Sequence, residues 1–324
     1  MLRYVLRRLA WAIPTLLFIT FLVYIALRTG TDPVASYKRV NARATPAKIQ
    51  QYIDANGLDP NYVRGYFRWL GNFLTLDWPR SIKGSREVWP QLKDALANTI
   101  RLGIAASAVG IVVGLMLGVF AALRPGGRRD VAVNTAAFVG ISIPPYVSAI
   151  LFQLLFAVYW SRWFGSTLFP TSGVYPPGHT GFEPLLMAKH MVLPTIVVAI
   201  QIIAVYSRYM RSSLLDVLSS EYMRTARSKG ISERRVLFKH GLRNALIPVV
   251  TIAALDVGAI VGGLIITENI FSYPGMGMYF LSAFGEGDFP LLMPWMVIIV
   301  ASTLMFNLLA DISYAWLDPR IRLE

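Results

Sequence analysis

An all-helical protein crossing a lipid bilayer six times is the fold class this sequence predicts, and three observations carry the prediction. The 324 residues are 55% hydrophobic and only 15% charged, against roughly 25% charged in a soluble domain. Apolar runs recur that reach the ~20 residues needed to cross a hydrocarbon core, and the mean hydropathy is +0.51. Most Lys and Arg fall in short segments between those runs, as positive-inside topology requires. The net charge of +13, so distributed, points to lipid and not to nucleic acid. The chain has no cysteine, which excludes disulfides, thiolate metal sites and cysteine nucleophiles.

The spans are placed at about residues 9–29, 98–123, 131–160, 189–208, 245–267 and 291–315, taken from hydrophobic runs and their breakers. The first has the basic start of a signal peptide, but its apolar stretch is too long and no A-x-A site follows; it is read as an uncleaved span bent early by Pro14. Segments 1–8, 124–130, 209–244 and 316–324 carry 3, 3, 8 and 2 Lys and Arg, whereas loops 161–188 and 268–290 hold only Arg162. Both termini are therefore expected inside, in the cytoplasm. The chain divides into residues 1–29, an outer segment 30–97, and a core 98–324 that includes the inner loop 209–244.

Within the outer segment Tyr62, Val63, Tyr66, Phe67, Leu70, Phe73 and Leu74 recur at helical spacing. That pattern suits a helix lying in the outer membrane interface or one packed on its neighbours. Gly110, Gly114 and Gly118 on the second span, and Gly258 and Gly262 on the fifth, are spaced for close helix contact, with this chain or with another. Ile143-Pro144-Pro145 marks a kink whose freed backbone groups neighbouring helices must satisfy.

The inner loop is the unusual element. Ser219-Ser220-Glu221 offers capping hydroxyls and an early acid, Gly230 suits a left-handed C-terminal position, and Ser232-Glu233 starts a second short helix. Two short helices joined at a glycine form a shaped projection. Eight Lys and Arg stand there against Asp216, Glu221 and Glu233; topology alone would account for the charge, but not for Gly230 and the paired helices.

In that loop Thr225-Ala226, Gly230 and Leu242 follow the pattern of a small-residue pair, a glycine four positions on and a later apolar tail. On these residues the chain resembles the permease subunits of binding-protein-dependent ABC importers, and specifically their peptide and nickel branch. Arg224 stands where many permeases have Glu, and Arg243 where they have Pro. The run His240-x-Leu242-Arg243-Asn244-Ala245 with Pro248 is similar to the peptide branch's version. So are Gly140-Ile141-Ser142-Ile143-Pro144, His190-x-x-Leu193-Pro194, the block Glu268 to Gly277 (ENIFSYPGMG), and Leu317-Asp318-Pro319-Arg320-Ile321. The outer segment is looser: Trp69-Leu70, Asp77, Ser81 and Asn98-Thr99 fit, while Leu76 and Trp78 replace the usual glycines.

The resemblance implies a type I ABC importer permease fold in a bacterial inner membrane and a division of labour among chains. A second permease subunit would complete a heterodimer, cytoplasmic ATP-binding subunits would carry ATP and Mg, and an extracytoplasmic binding protein would deliver peptides. Nickel chelates or another small solute are the alternative cargo, and a secondary transporter the alternative class. The implied coupling residues are Glu221, Arg224, Thr225, Ala226, Gly230, Ser232, His240, Leu242 and Arg243. No G-x-x-x-x-G-K-[ST] loop occurs, nor any Gly-Lys pair, so ATP chemistry belongs to another chain. His179, His190 and His240 are too scattered for a metal cluster, and no catalytic motif is present.

Polar residues within spans are the remaining candidates. Asp256 is expected either to line the translocation path, drawing a substrate's cationic end, or to be hydrogen-bonded between helices. Glu268, at the outer mouth, is a second path candidate whose motif suits loop structure equally. Asp311 is expected to pair with Arg320 or Arg322, and Gln153, Gln201 and Asn307 to bond between helices.

Overall fold

The computed structural model describes residues 2–260 and 264–317. Among these residues every regular element is helical. The first helix, α1 (Leu2–Thr31), leads into an outer group made of α2 (Pro33–Val40), α3 (Pro46–Ala55) and α4 (Tyr62–Leu74). The core follows with α5 (Val88–Ala122), α6 (Arg128–Ser142), α7 (Pro145–Gln153), a π-helical stretch Leu154–Tyr159 and α8 (Trp160–Phe164). Next come α9 (Pro184–Leu218), α10 (Glu221–Ser228), α11 (Glu233–Arg235), a second π-helical stretch Val236–Leu242 and α12 (Arg243–Ile260). The chain closes with α13 (Ile265–Ile270), α14 (Met276–Glu286) and α15 (Phe289–Leu317).

Five helical segments among the described residues are long and apolar enough to cross a membrane: Leu6–Thr31, Val88–Ala122, Pro145–Phe164, Pro184–Leu218 and Phe289–Leu309. The sixth expected span corresponds to α12, α-helical for 18 residues. α5 and α9 each run 35 residues, about 52 Å at 1.5 Å per residue. Both overshoot a hydrocarbon core of about 30 Å. Helix two therefore starts at Val88, not near 98, because its first turns hold Lys93 and Asp94 and fall below the hydropathy signal.

Three features lock the core. Gly110, Gly114 and Gly118 face α9 of this same chain. A Cβ at Gly110 would lie 2.6 Å from Ile202 Cβ, at Gly114 2.9 Å from Tyr206 Cβ, and at Gly118 2.5 Å from the Ser207 carbonyl oxygen. The expectation for Gly258 and Gly262 falls outside the residues whose packing is described. Secondly, the Pro-Pro step is a full break: α6 ends at Ser142, and Ile143 and Pro144 are extended. Gln201 on α9 donates to the freed carbonyls of Gly140 (2.9 Å) and Ile143 (3.1 Å). Thirdly, Arg211 near the inner end of α9 clasps the buried Asp130 of α6 through both carboxylate oxygens. That guanidinium, then the Gly126 amide, holds the Asp130 carboxyl at about 2, below the usual carboxylate range.

The outer group packs on α1 and α15 through Tyr66 and Trp69 of α4, with Tyr24, Phe289 and Met293. The opposite side of α4 leaves Val63, Phe67 and Leu74 exposed, so the helix is both packed inward and apolar outward.

Candidate functional site

The inner projection is built around its own small core. Met223, Ala226 and Val236 are buried there, with Ile231, Val217 and Leu218 against them. α10 stops because Gly230 adopts φ +72°, a conformation other residues enter at a cost; its amide donates to the Arg227 carbonyl at 2.9 Å. A Cβ at Gly230 would meet nothing within 4 Å, so the requirement is conformational, not steric. Arg227 Nε then reaches over the turn to Glu233 Oε1 at 2.8 Å, tying α10 to α11.

Two details depart from the expected helices. The serine hydroxyls do not cap α10: Ser219 and Ser220 donate back to the carbonyls of Asp216 and Val217, satisfying the end of α9. The second helix is not separate either. From Glu233 the chain stays helical through the π segment and into α12 without a break, the kind of local widening that recurs at functional sites. The turn at Gly230 is thus joined by one continuous rod to the helix carrying Asp256.

The expected coupling residues divide by position. Glu221, Arg224, Thr225, Gly230, Ser232 and Arg243 are exposed, and His240 is half-buried. Arg224 pairs with Glu221 at 3.0 Å. Ala226 is buried beneath them, and Leu242 is packed toward α9 and α12, so these two shape the projection from within.

A second cluster is a hub centred on Glu268, whose side chain is fully buried. Its Oε1 accepts from Thr99 Oγ1 (2.6 Å) and the Leu264 amide (3.2 Å), and its Oε2 from the amides of Gly277 (2.6 Å) and Met278 (3.2 Å). Those last two are free N–H groups at the start of α14, where a carboxylate is favoured by unsatisfied donors and by the helix dipole. Thr99 Oγ1 also accepts from the Met276 amide (2.7 Å), and Asn98 Nδ2 donates to the Pro274 carbonyl (3.0 Å). A Cβ at Gly275 would sit 2.5 Å from the Glu268 carboxyl carbon, so this glycine permits the approach. The Glu268 side chain is sealed from solvent, and its hydrogen bonds tie together the loop ahead of α14.

Asp256 is exposed and accepts a 2.7 Å hydrogen bond from Tyr206 of α9, so it combines solvent access with an interhelical bond. Gln153 Nε2 donates to the carbonyls of Thr171 and Ile270. The Asn307 side chain is exposed and makes no hydrogen bond to the described residues. The pairing of Asp311 with Arg320 or Arg322, and residues 318–321 of the C-terminal motif, lie outside what is described.

Sequence reasoning missed Asp130–Arg211, Arg227–Glu233, and Arg101 on α5. The last had a visible signal, a cation within an apolar helix. A further buried acid, Asp288, precedes α15 and accepts from Ser81 Oγ (2.6 Å) and the Ile82 amide (3.1 Å) of the outer segment. Burial pushes its carboxyl up to about 6 against the opposing effect of those bonds, with nearby Glu286 adding to the rise.

Comparison with known proteins follows the same lines. Residues 114–323 match the family described as "Binding-protein-dependent transport system inner membrane component". The oligopeptide transport system permease protein AppB of Bacillus subtilis is 37% identical over 325 residues, covering 99% of both chains. The dipeptide transport system permease protein DppB of Escherichia coli K12 is 32% identical over 342 residues, again 99% of both. Among solved structures, the MetNI methionine ABC transporter in an inward-facing conformation aligns with a TM-score of 0.53 at 17% identity, over 70% of this chain and 96% of that one. A crystallised amino acid ABC transporter aligns at 0.52 and 14%, over 70% and 94%. These two carry the fold alone.

Proposed function

The chain belongs to the family of binding-protein-dependent transport system inner membrane components, and from that membership we propose that it forms one of two transmembrane halves of an ATP-driven peptide importer. As a permease subunit it is not itself the ATPase; ATP and Mg²⁺ belong to cytoplasmic partner subunits. A second, different permease subunit completes the path. An extracytoplasmic binding protein delivers peptides to the face formed by the outer segment and the loops 161–188 and 268–290. The peptide assignment is supported by relatives named for oligopeptide and dipeptide transport along nearly their whole length.

Both termini and the loop 209–244 face the cytoplasm in this reading, in keeping with their basic charge. The observation that carries the mechanism is the projection on which α10 and α11 meet at Gly230. It presents exposed Glu221, Arg224, Thr225, Ser232 and Arg243 over a private core, a rigid shape suited to a groove in an ATPase subunit. Its excess of cations favours an acidic rim there. Asp256 lines the path in this reading, where Tyr206 holds it toward a peptide's cationic end.

Gly230→Val tests the coupling. A β-branched residue in the left-handed region costs about 1–2 kcal/mol and re-aims α10 without touching any span. In the reconstituted assembly, hydrolysis stimulated by loaded binding protein should collapse while the subunits still co-purify. Undiminished stimulation would assign the loop to topology alone.

A further inference from the structure

A polar stripe runs along the outer end of α5. Asp94, Asn98 and Arg101 stand at intervals of four and three residues, so they share one face of the helix. All three line a cavity of about 570 Å³. Two helical turns separate Asp94 from Arg101, a rise of about 10 Å. Both are exposed, and neither forms an ion pair with another described residue.

The two ends are held differently. Arg101 Nη1 donates to Asn98 Oδ1 at 3.0 Å, and Asn98 is itself fixed by the Pro274 carbonyl of the Glu268 hub. The guanidinium also faces the Phe182 ring at 6.0 Å from its centroid. Asp94 has no such brace. Facing them, Tyr175, Phe182 and Met278 give an aromatic and thioether wall, a soft surface that accommodates varied side chains. A charged residue placed within a spanning helix costs free energy and is characteristically functional.

We infer that this cavity is a subsite for the two ends of a short zwitterionic peptide, with Arg101 receiving the C-terminal carboxylate and Asp94 the N-terminal ammonium. The inference rests on the peptide-import reading above. An extended chain advances about 3.3–3.6 Å per residue, so about three residues bridge the gap, whereas a single amino acid cannot engage both charges. The fixed, planar guanidinium suits a carboxylate, and the free carboxylate tolerates the differing lengths of two to four residues.

The test is uptake into proteoliposomes holding the full assembly and its binding protein. The cargoes are trialanine, its N-acetyl form and its C-terminal amide, each normalised to its occupancy of the binding protein. Wild type should prefer the free peptide over either blocked form by about tenfold, the worth of one charge-assisted contact. Arg101→Gln should lose that factor for the free peptide and cease to distinguish the amide, while still rejecting the acetyl form; Arg101→Lys should restore most of it. Asp94→Asn should give the mirror result. Variants that keep the wild-type ratios among the three cargoes overturn the subsite and leave peptide import standing. So does Arg101→Lys failing as completely as Arg101→Gln, which would make the arginine a structural brace. A wild-type assembly that imports another solute but no peptide overturns both.

Discussion

Glu268→Gln separates a structural hub from a path residue. The substitution keeps the side-chain volume but replaces one acceptor oxygen with an NH2 donor. Each carboxylate oxygen receives two donors: Thr99 Oγ1 and the Leu264 amide on one, the Gly277 and Met278 amides on the other. Whichever way the amide turns, one pair of donors meets another donor. Hydrogen bonds to a charged acceptor contribute about 1.5–3 kcal/mol each, so losing two costs about 3–6 kcal/mol before relaxation. At about 2–4 °C per kcal/mol for a chain of this class, the midpoint of thermal unfolding in detergent should fall by on the order of 10 °C. Thr99→Val, which removes one hydroxyl from the same hub, should cost less. Its effect should shrink in the Glu268→Gln background, as expected of residues sharing a network. A Glu268→Gln assembly that melts within a degree of wild type yet imports nothing would refute the hub and return the carboxylate to the path.

Three further outcomes are expected. Asp288 has a folded-state pKa of about 6, above its ordinary value, so its contribution to stability is full below about pH 4 and is lost as pH rises through 6. Wild type should therefore melt higher at pH 5 than at pH 7.5 by an amount worth roughly 1–3 kcal/mol, and Asp288→Asn should flatten that difference; an unchanged slope in the variant would assign the titration elsewhere. Gly118→Ala places a methyl 2.5 Å from the Ser207 carbonyl oxygen and should destabilise by about 1–3 kcal/mol through overpacking, read as a lower melting midpoint; no change would mean that α5 and α9 separate freely. Asp256→Asn should lower uptake of a lysine-bearing tripeptide several-fold more than that of trialanine, and equal uptake of both at the wild-type level would remove Asp256 from the path.

What the sequence made legible was whatever depends on local spacing. The hydrophobic runs located the spans, the glycine at position 230 announced a left-handed turn, and the triplet Gly110, Gly114 and Gly118 announced close packing. The identity of the partner helix was not legible, because small residues record only that a backbone comes near. Polar first turns hid the start of α5, since Lys93 and Asp94 depress hydropathy without interrupting a helix. Ser232-Glu233 announced a second short helix, but not that it runs from α11 through the π segment into α12 without a break. The hub was invisible for another reason: Thr99 and Glu268 are 169 positions apart, and only the fold brings Asn98-Thr99 onto the loop that begins at Glu268. Arg101 differs from these, for the polar recurrence 94, 98, 101 on an apolar helix could have been read directly.

In the proposed coupling, the placement of these locks sets how a displacement at the projection would travel. α9 enters the projection and the α11–α12 rod leaves it, and Ser213 of α9 donates to the Ala245 carbonyl of the rod at 2.8 Å, so the two move together at their inner ends. α9 lies against α5 at three glycines that set the backbones at contact distance. Arg211 ties α9 to the start of α6 through both carboxylate oxygens of Asp130. At the extended Ile143-Pro144 pair, Gln201 supplies hydrogen bonds to the Gly140 and Ile143 carbonyls that a continuous helix would make for itself. In the proposed coupling, a push at Gly230 would be carried by α5, α9 and α12 together, and α7 stays tied to the same core through buried Ala149 and through Gln153, which donates to the Thr171 and Ile270 carbonyls. Asp256 and Tyr206 join α12 to α9, and the Glu268 hub ties the Thr99 end of α5 to the loop ahead of α14, so in that proposal a displacement at the projection would reach the opposite mouth through α5.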